Sequence, residues 1–298
     1  MIKKIIIRII NILLSLWIIF SFNNSKTFLS ILKETCYLWF SVLVPSILPM
    51  YFFSNLLLIN ERLFNVLYKL TSKLFHFENT TSCMLFFLSF ITSNPTITIL
   101  IKDAVDNNKI SLYEGNRLMR CTNHFSIIFI KINSRNSYYF NLILFSLYLA
   151  SIIILILSKN IQDNSYKIIN IKNNYDLYSL FDKSYQLLLK ILVIMIMINY
   201  LISFIKYLIP INNIEYLLSI LEITLGTTYL NNNIRNDFLY HLLFLILLSF
   251  SGISLIFQII IVNKKTMDIL NFLKYRIVHL ILSITIFLTF HGLQFLHI

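Results

Sequence analysis

Long apolar runs separated by short polar stretches dominate the pattern of hydrophobic and polar positions along this chain. A helix that spans a bilayer needs about 20 apolar residues, and seven runs reach or approach that length. These runs are residues 5–22, 37–59, 82–101, 138–158, 186–209, 238–262 and 277–296, with 217–230 as a shorter candidate. The pattern predicts an all-α, polytopic transmembrane protein with about seven or eight membrane segments.

Two of these runs are interrupted by residues that break helices. In the run 82–101, Pro95 follows Asn94, and its ring removes a backbone donor and clashes with the preceding turn. In the run 238–262, the interruption is a cluster of serines around a glycine, at residues 249–254. Paired interruptions are typical of transporters built from two related halves, with the site near the middle of the bilayer. We therefore predict two related halves, each with an interrupted helix that either spans the membrane or re-enters it.

A long polar stretch divides the chain into these halves. Its lysines and asparagines predict a polar linker at residues 159–184. The linker separates a first half at 36–158 from a second half at 185–298. A basic start precedes the first apolar run without a small-residue cleavage site, so residues 1–35 are interpreted as an N-terminal membrane anchor helix and loop.

Two shorter signals predict further helices in the first half. Ser111 and Glu114 have the spacing of a capping box, which predicts a helix that begins near Leu112. Residues 62–78 carry apolar positions at helical spacing between polar ones. This pattern predicts an amphipathic helix that lies along the membrane interface.

Composition and charge narrow the class of function. Hydrophobic residues make up 57% of the chain and charged residues 13%, with a mean hydropathy of +0.76, which excludes an ordinary soluble domain. The net charge is +12, but basic residues such as Lys102, Lys274 and Arg276 lie at the ends of apolar segments. That distribution is typical of flanks that set topology at an anionic membrane surface. We expect the lipid bilayer as a partner and no nucleic acid.

Catalysis and metal binding find little support in the residue pattern. His241 and His279 have no metal-ligand partners at a recognisable spacing. The three cysteines include no CxxC pair, and no serine stands in a nucleophile elbow. We therefore expect no enzyme activity, no catalytic residue, no metal and no cofactor.

The candidate transport residues are the polar positions at the interruptions, together with one acidic residue. Backbone freed at a broken helix can face a solute, although small and polar residues also hold membrane helices together. Glu222 lies in an apolar segment, where a carboxylate costs about 2.5 to 3.5 kcal/mol to insert. It is either a residue that couples transport to a proton or cation, or an interfacial residue in water. His124 is either a ligand to a nucleobase-like group or a satisfied polar residue. The predicted substrate-binding or transport residues are Ser93, Asn94, Pro95, Asn123, Glu222, Gly252, Ser254 and Gln258.

Several short motifs, taken in order, resemble a known family. In the first half they are Val44-Pro45-Ser46-Ile47-Leu48-Pro49, Ser93-Asn94-Pro95, Asp103, Ile110-Ser111, Glu114, Arg117-Leu118 and Cys121-Thr122-Asn123. In the second half they are Glu222, Thr224, Gly226, Ser249-Phe250, Gly252-Ile253-Ser254 and Gln258. Their order and spacing resemble the sporulation integral membrane protein family known as YlbJ. That family belongs to the nucleoside-recognition, or Gate, domain group, which also includes nucleoside and ferrous-iron transporters.

The resemblance implies a multi-pass protein in the cell membrane of a spore-forming bacterium. Together with the interrupted helices, it favours a transporter or channel-like protein for a small solute, either nucleoside-like or an ion, and leaves a homo-oligomer open. The family pattern Ser-Gly-Tyr-Pro-Ala-Gly reads differently at residues 92–97, where both glycines are absent. Because glycine permits close backbone approach, this departure favours a second hypothesis, a structural or assembly protein of the spore envelope without transport activity.

Overall fold

In a computed structural model, the chain is all-helical, with no strand, over the residues that the structure describes. These are residues 15–59, 61–158, 177–208, 221–263 and 268–296. Within them, four helical stretches are long and apolar enough to cross a membrane. They are Ser137–Leu157, Ser184–Leu208, Asp237–Ile261 and Ile269–Leu293. The all-α prediction is confirmed, and the four apolar stretches agree with a membrane protein.

The helices follow one another closely along the chain. Helical residues 15–23 come first, and a π-helical turn, Trp39–Leu43, joins α1 to α2. The α-helices are α1 (Ser25–Leu38), α2 (Val44–Ile59), α3 (Glu61–Phe75), α4 (Thr80–Ser89), α5 (Thr96–Asp106), α6 (Leu112–Cys121), α7 (Ile127–Asn133), α8 (Ser137–Leu157), α9 (Leu177–Leu208), α10 (Ile223–Asn233), α11 (Asp237–Phe250), α12 (Gly252–Asn263) and α13 (Ile269–Leu296).

Several predicted segments fall partly outside the described residues, among them the run 186–209, whose last residue lies outside. Of the predicted linker, residues 159–176 lie outside them, whereas residues 177–184 belong to the first turns of α9. The first 14 residues of the predicted anchor and residues 217–220 of the short apolar run also lie outside.

Helix α8 sets the dimensions of the fold. Its 21 residues extend for about 31 Å, which matches the hydrocarbon thickness of a bilayer. Helix α13 packs antiparallel along it, with Tyr138 Oη 3.2 Å from His291 Nδ1 near one end and Ser151 Oγ 3.1 Å from His279 Nε2 farther along. We call the side at which α8 begins the start face, and the side at which it ends the end face.

The predicted interruption at Pro95 is a turn between two helices that lie side by side. At the outer end of α4, Asn79 accepts a hydrogen bond from Ser82 N–H at 2.9 Å. The amide of Asn79 also donates to Lys109 C=O at 2.6 Å, just beyond the end of α5. The outer ends of α4 and α5 are therefore joined, and residues 90–95 form the tip of a helical hairpin.

The second predicted interruption separates α11 from α12. Ser251 and Gly252 have φ angles of 78° and 63°, which is the left-handed region that side chains with a Cβ rarely adopt. A third interruption, at residues 122–126, separates α6 from α7. The run 238–262 therefore consists of two helices, and so does the region 112–133.

At the end face, a buried ion pair joins several helices. Arg117 is 2% exposed, and its Nη1 atom lies 3.2 Å from the Glu114 carboxylate. Arg117 also donates to His76 C=O at 3.0 Å, beyond α3, and to Leu155 C=O at 3.2 Å, near the end of α8. A cation is favoured at the carboxyl ends of helices, where the dipole is negative. Arg117 thus holds α3 and α8 against α6.

The capping box predicted for α6 is half formed. Ser111 Oγ accepts from Glu114 N–H at 3.0 Å, and α6 begins at Leu112, as predicted. The reciprocal bond is replaced, because the Glu114 carboxylate pairs with Arg117 and the carboxylate of Glu78 accepts from Ser111 N–H at 3.0 Å instead.

The start of α13 is attached to α6 near the same face. Asp268 N–H donates to Asn116 Oδ1 at 2.8 Å, and Asp268 Oδ1 accepts from Asn271 N–H at 3.2 Å. The hydrogen bonds from Asn271 hold the pKa of the Asp268 carboxyl below its usual value. Helix α13 therefore leaves the end face and runs toward the start face.

At the start face, Arg135 joins the α7–α8 connection to the α10–α11 connection. It donates to Ile234 C=O at 2.6 Å and to the Asp237 carboxylate at 2.8 Å. Its guanidinium also lies 4.0 Å from the centre of the Tyr240 ring. At each of the two faces, an arginine thus joins the ends of several helices.

The predicted amphipathic segment forms helix α3. Its apolar residues Val66, Leu70 and Leu74 are 61%, 73% and 56% exposed. The predicted helix is confirmed, and its position at the membrane interface stays a prediction.

Replacing the buried arginine of the end face tests this account of the fold. We expect Arg117→Met to destabilise the protein by about 3 to 5 kcal/mol, because it leaves the Glu114 carboxylate and several carbonyls buried without a partner. The measurement is thermal unfolding of the purified protein in detergent. Arg120→Met, about one turn farther along α6, is the control. Arg120 lies over the Tyr275 ring at 5.1 Å and acts on the exposed Asp268 carboxylate, so its loss costs about 1 kcal/mol or less. Equal melting temperatures for the two variants would contradict the account.

Candidate functional site

The three interruptions meet beside the middle of α8. The Tyr148 hydroxyl donates to Phe90 C=O at 2.7 Å, at the tip of the α4–α5 hairpin. The His124 ring, in the α6–α7 interruption, has its centre 5.1 Å from that of the Tyr148 ring. Tyr148 lies about 15 Å from either end of α8. Interrupted backbone is thus gathered halfway between the two faces.

The hairpin tip is joined to the α6–α7 interruption through Asn94. Asn94 N–H donates to His124 C=O at 3.0 Å. The Asn94 side-chain oxygen accepts from the Thr98 hydroxyl at 2.6 Å. Asn94 therefore stabilises the first turn of α5 while its backbone holds the neighbouring interruption.

The α6–α7 interruption is joined to the α11–α12 interruption through Ser251 and Arg276. Asn123 Nδ2 donates to Ser251 Oγ at 2.9 Å. From α13, Arg276 Nη1 donates to Asn123 C=O at 3.2 Å and to Ser251 Oγ at 3.1 Å. One nitrogen of a buried guanidinium thus bridges two helix breaks that are far apart in sequence.

Glu222 caps the helix that starts beside α12. Its carboxylate accepts from Leu225 N–H at 2.8 Å and from the Thr224 hydroxyl, and the residue is 5% exposed. Next to it, Leu221 C=O accepts from Ser254 N–H at 2.9 Å. A carboxylate is favoured at the amino end of a helix, where the dipole is positive. Of the two interpretations of Glu222, the interfacial residue in water is therefore wrong, and the carboxylate has a structural partner in α10.

The predicted site residues all lie where helices begin or break. Ser93, Asn94 and Pro95 are in the hairpin tip, Asn123 is in the α6–α7 interruption, Glu222 caps α10, and Gly252, Ser254 and Gln258 are in the first two turns of α12. All eight are buried. The side chain of Gln258 lies 3.5 Å from Ser254 Oγ, a contact within α12.

The residues that the structure adds to the site come mainly from α13. We call Asn94, Asn123, His124, Ser251, Arg276 and His279 the polar junction. The sequence pattern assigned Arg276 to a basic flank, which is wrong, because the side chain is 1% exposed and lies inside the protein. Arg276, His279 and Ser283 recur at spacings of three and four residues, which places them on one face of α13. This polar stripe in an apolar helix is the signal that could have identified them.

Several buried polar atoms of the polar junction lack a hydrogen-bond partner among the described residues. They are Asn94 Nδ2, Asn123 Oδ1, both ring nitrogens of His124, Arg276 Nε and Nη2, and His279 Nδ1. A buried polar group without a partner costs about 1 to 3 kcal/mol, and such groups are rare in native proteins. Because these atoms lie together at the helix interruptions, the polar junction is the candidate binding site.

The interpretation of this site rests on its own geometry. No group of three or more histidine, cysteine or acidic residues is placed to hold a metal ion in the described part of the chain. No protein-family model, no curated protein sequence and no solved structure matches the chain.

Proposed function

We propose that this chain is a transporter-like membrane protein that binds a small solute at the polar junction. The observation that carries the proposal is the set of partnerless polar atoms at interrupted backbone, halfway between the two faces. Within lipid, interrupted backbone persists only where it is buried in protein or lines a water-filled cavity. Secondary transporters place their substrate sites at such interruptions, near the middle of the bilayer.

The order of the helices supports two related halves of opposite orientation. In the first half, the α4–α5 hairpin enters from the end face and returns to it, α6 and α7 together cross to the start face, and α8 crosses back. In the second half, α10 runs from the polar junction to the start face, α11 and α12 together cross to the end face, and α13 crosses back. Under this proposal the run 82–101 re-enters the membrane and does not span it.

A constant sequence offset relates the contacts at the centre of the two halves. The hydrogen-bonded pair Asn123 and Ser251 is separated by 128 residues, and so is the pair Ser151 and His279. In a two-fold arrangement, residues at the axis contact their own equivalents. Both contacts therefore support a pseudo-two-fold axis that passes through the polar junction.

The offset of 128 residues also relates α5 to α10, the two helices that begin beside the polar junction. Asn94 binds the first turn of α5, and Glu222 binds the first turn of α10. This correspondence differs from the one expected from the apolar runs, which paired 82–101 with 238–262. It pairs the hairpin tip with the start of α10, and the α6–α7 interruption with the α11–α12 interruption.

A transporter of this kind must open the polar junction to each side in turn. In the conformation described here, all six members of the junction are at most 8% exposed, so the site is closed to solvent. Helices interrupted at the site allow their halves to move separately, which is how a bound solute becomes accessible from either face.

Cysteine accessibility tests this proposal without knowledge of the solute. In a variant that lacks Cys36, Cys83 and Cys121, we expect His124→Cys to react with a membrane-impermeant thiol reagent both in intact cells and in inside-out vesicles. The control is Ala150→Cys, since Ala150 lies at the same depth on α8 and is fully buried. We expect no reaction of the control from either side.

The accessibility pattern separates the two hypotheses about function. If His124→Cys is as unreactive as the control from both sides, the polar junction is a permanent packing contact, and the spore-envelope assembly hypothesis is favoured. Reaction from one side only would contradict alternating access.

The resemblance of the sequence motifs adds a role in spore formation to the proposal. We expect deletion of the gene to abolish heat-resistant spores while vegetative growth stays normal, and the wild-type gene to restore them. In a complementation test, Glu222→Gln keeps an oxygen that can accept from Leu225 N–H, so it removes the charge and retains a cap. Failure of this variant to restore spores, at normal protein levels, would show that the charge of Glu222 is needed. Normal sporulation of the deletion strain would contradict the proposed role.

A further inference from the structure

Among the described residues, no acidic side chain balances the charge of Arg276. The described residues contain three ion pairs, Lys102 with Asp106, Glu114 with Arg117 and Arg135 with Asp237, and Arg276 takes part in none of them. Its side chain is nevertheless 1% exposed. A buried charge without a counter-charge is strongly unfavourable, because desolvation of the ion is not repaid. The described part of the chain therefore leaves the charge of Arg276 without a counter-charge.

The guanidinium of Arg276 is held so that one edge is free. Its Nη1 atom is used by Asn123 C=O and Ser251 Oγ, which orient the group from one side. The Nε and Nη2 atoms, which share the opposite edge, have no partner in the described part of the chain. This edge presents two parallel N–H groups, which is the geometry that binds a carboxylate or a phosphate through two hydrogen bonds.

The surroundings of Arg276 also provide further hydrogen-bond donors. Ser251, which Arg276 contacts, lies between the carboxyl end of α11 and the amino end of α12, so the dipoles of these two helices oppose each other beside the guanidinium. Helix α5 also begins at this level, next to the contact between Asn94 and His124. The buried amide nitrogen Asn94 Nδ2 is a further donor without a partner. The start of α5 and the Asn94 amide therefore add donors that can bind an anion.

We infer that the polar junction binds the carboxylate or phosphate group of a small anionic solute, through the Nε and Nη2 edge of Arg276. This inference rests on the proposed function, since it names the chemical class of the solute bound at the proposed site. It favours an organic acid or a phosphate ester over a neutral nucleoside or a cation. Arg276 is the residue that provides this specificity.

Thermal unfolding of the purified full chain in a neutral detergent tests the inference. The probes are sodium acetate and sodium phosphate, compared with acetamide, a neutral analogue, and with sodium chloride at matched ionic strength. We expect acetate or phosphate to raise the melting temperature saturably, by about 5 °C at a large excess over its dissociation constant. Acetamide and chloride should leave it unchanged.

Variants of Arg276 and of Lys274, two residues earlier in α13, test whether the shift in melting temperature depends on Arg276. Arg276→Gln should abolish the shift, and Arg276→Lys, which keeps the charge and loses the two-pronged edge, should reduce it several-fold. Lys274→Gln is the matched control, because it removes one positive charge from an exposed position on the same helix. It should retain the full shift.

Each result has a defined meaning. If neither acetate nor phosphate stabilises the wild type more than acetamide and chloride do, the inference is wrong, whether or not Arg276→Gln folds. Stabilisation by phosphatidylglycerol micelles but by neither free anion would assign the site to a lipid headgroup and would overturn the solute version. Binding measured in this way needs no transport, so an anion-dependent shift together with an unreactive His124→Cys would leave this inference standing and refute the proposed transport function.

Discussion

Backbone that is interrupted inside a membrane must find partners in the protein, because lipid offers none. If the protein lies in the bilayer as proposed, this requirement explains why its helix breaks are gathered at one level beside α8. Asn94 N–H is satisfied by His124 C=O, and Ser254 N–H is satisfied by Leu221 C=O, so each pair joins two elements that end or begin at that level. The short helices begin or end beside the long helices α8 and α13.

Two buried arginines show how the same side chain serves opposite purposes. Arg117 has an acidic partner, Glu114, and several helix-end carbonyls, so its charge is compensated by the chain itself. Arg276 has two acceptors on Nη1 and, among the described residues, none on its other edge. Arg117 therefore holds helices together at the end face, whereas Arg276 keeps two N–H groups at the polar junction that can bind a solute. The contrast is the physical basis for separating a structural arginine from one that binds a solute.

Local features of this fold could be predicted from sequence, and long-range ones could not. The break at Pro95 and the start of α6 after Ser111 depend on neighbours within one or two turns, and the structure agrees with them. The apolar runs predict about seven or eight membrane segments, whereas four helical stretches of the described residues are long and apolar enough to cross a membrane. The direction of the chain after Pro95 depends on Asn79 and Lys109, which meet only in the folded protein. Arg276 looks like a basic flank because it stands at the beginning of an apolar run. Its burial follows from how α13 packs against α8, which the local pattern does not contain.

The central claim is that the helix breaks meet around Arg276 at the middle of the membrane. An electron cryo-microscopy structure of the full chain in lipid nanodiscs tests it most directly, through the position of the Arg276 guanidinium relative to the two bilayer surfaces. We expect the guanidinium within hydrogen-bonding distance of Asn123 C=O and Ser251 Oγ, at about half the thickness of the hydrocarbon layer. A guanidinium at the level of the lipid headgroups, or interruptions that lie apart from one another, would contradict the account.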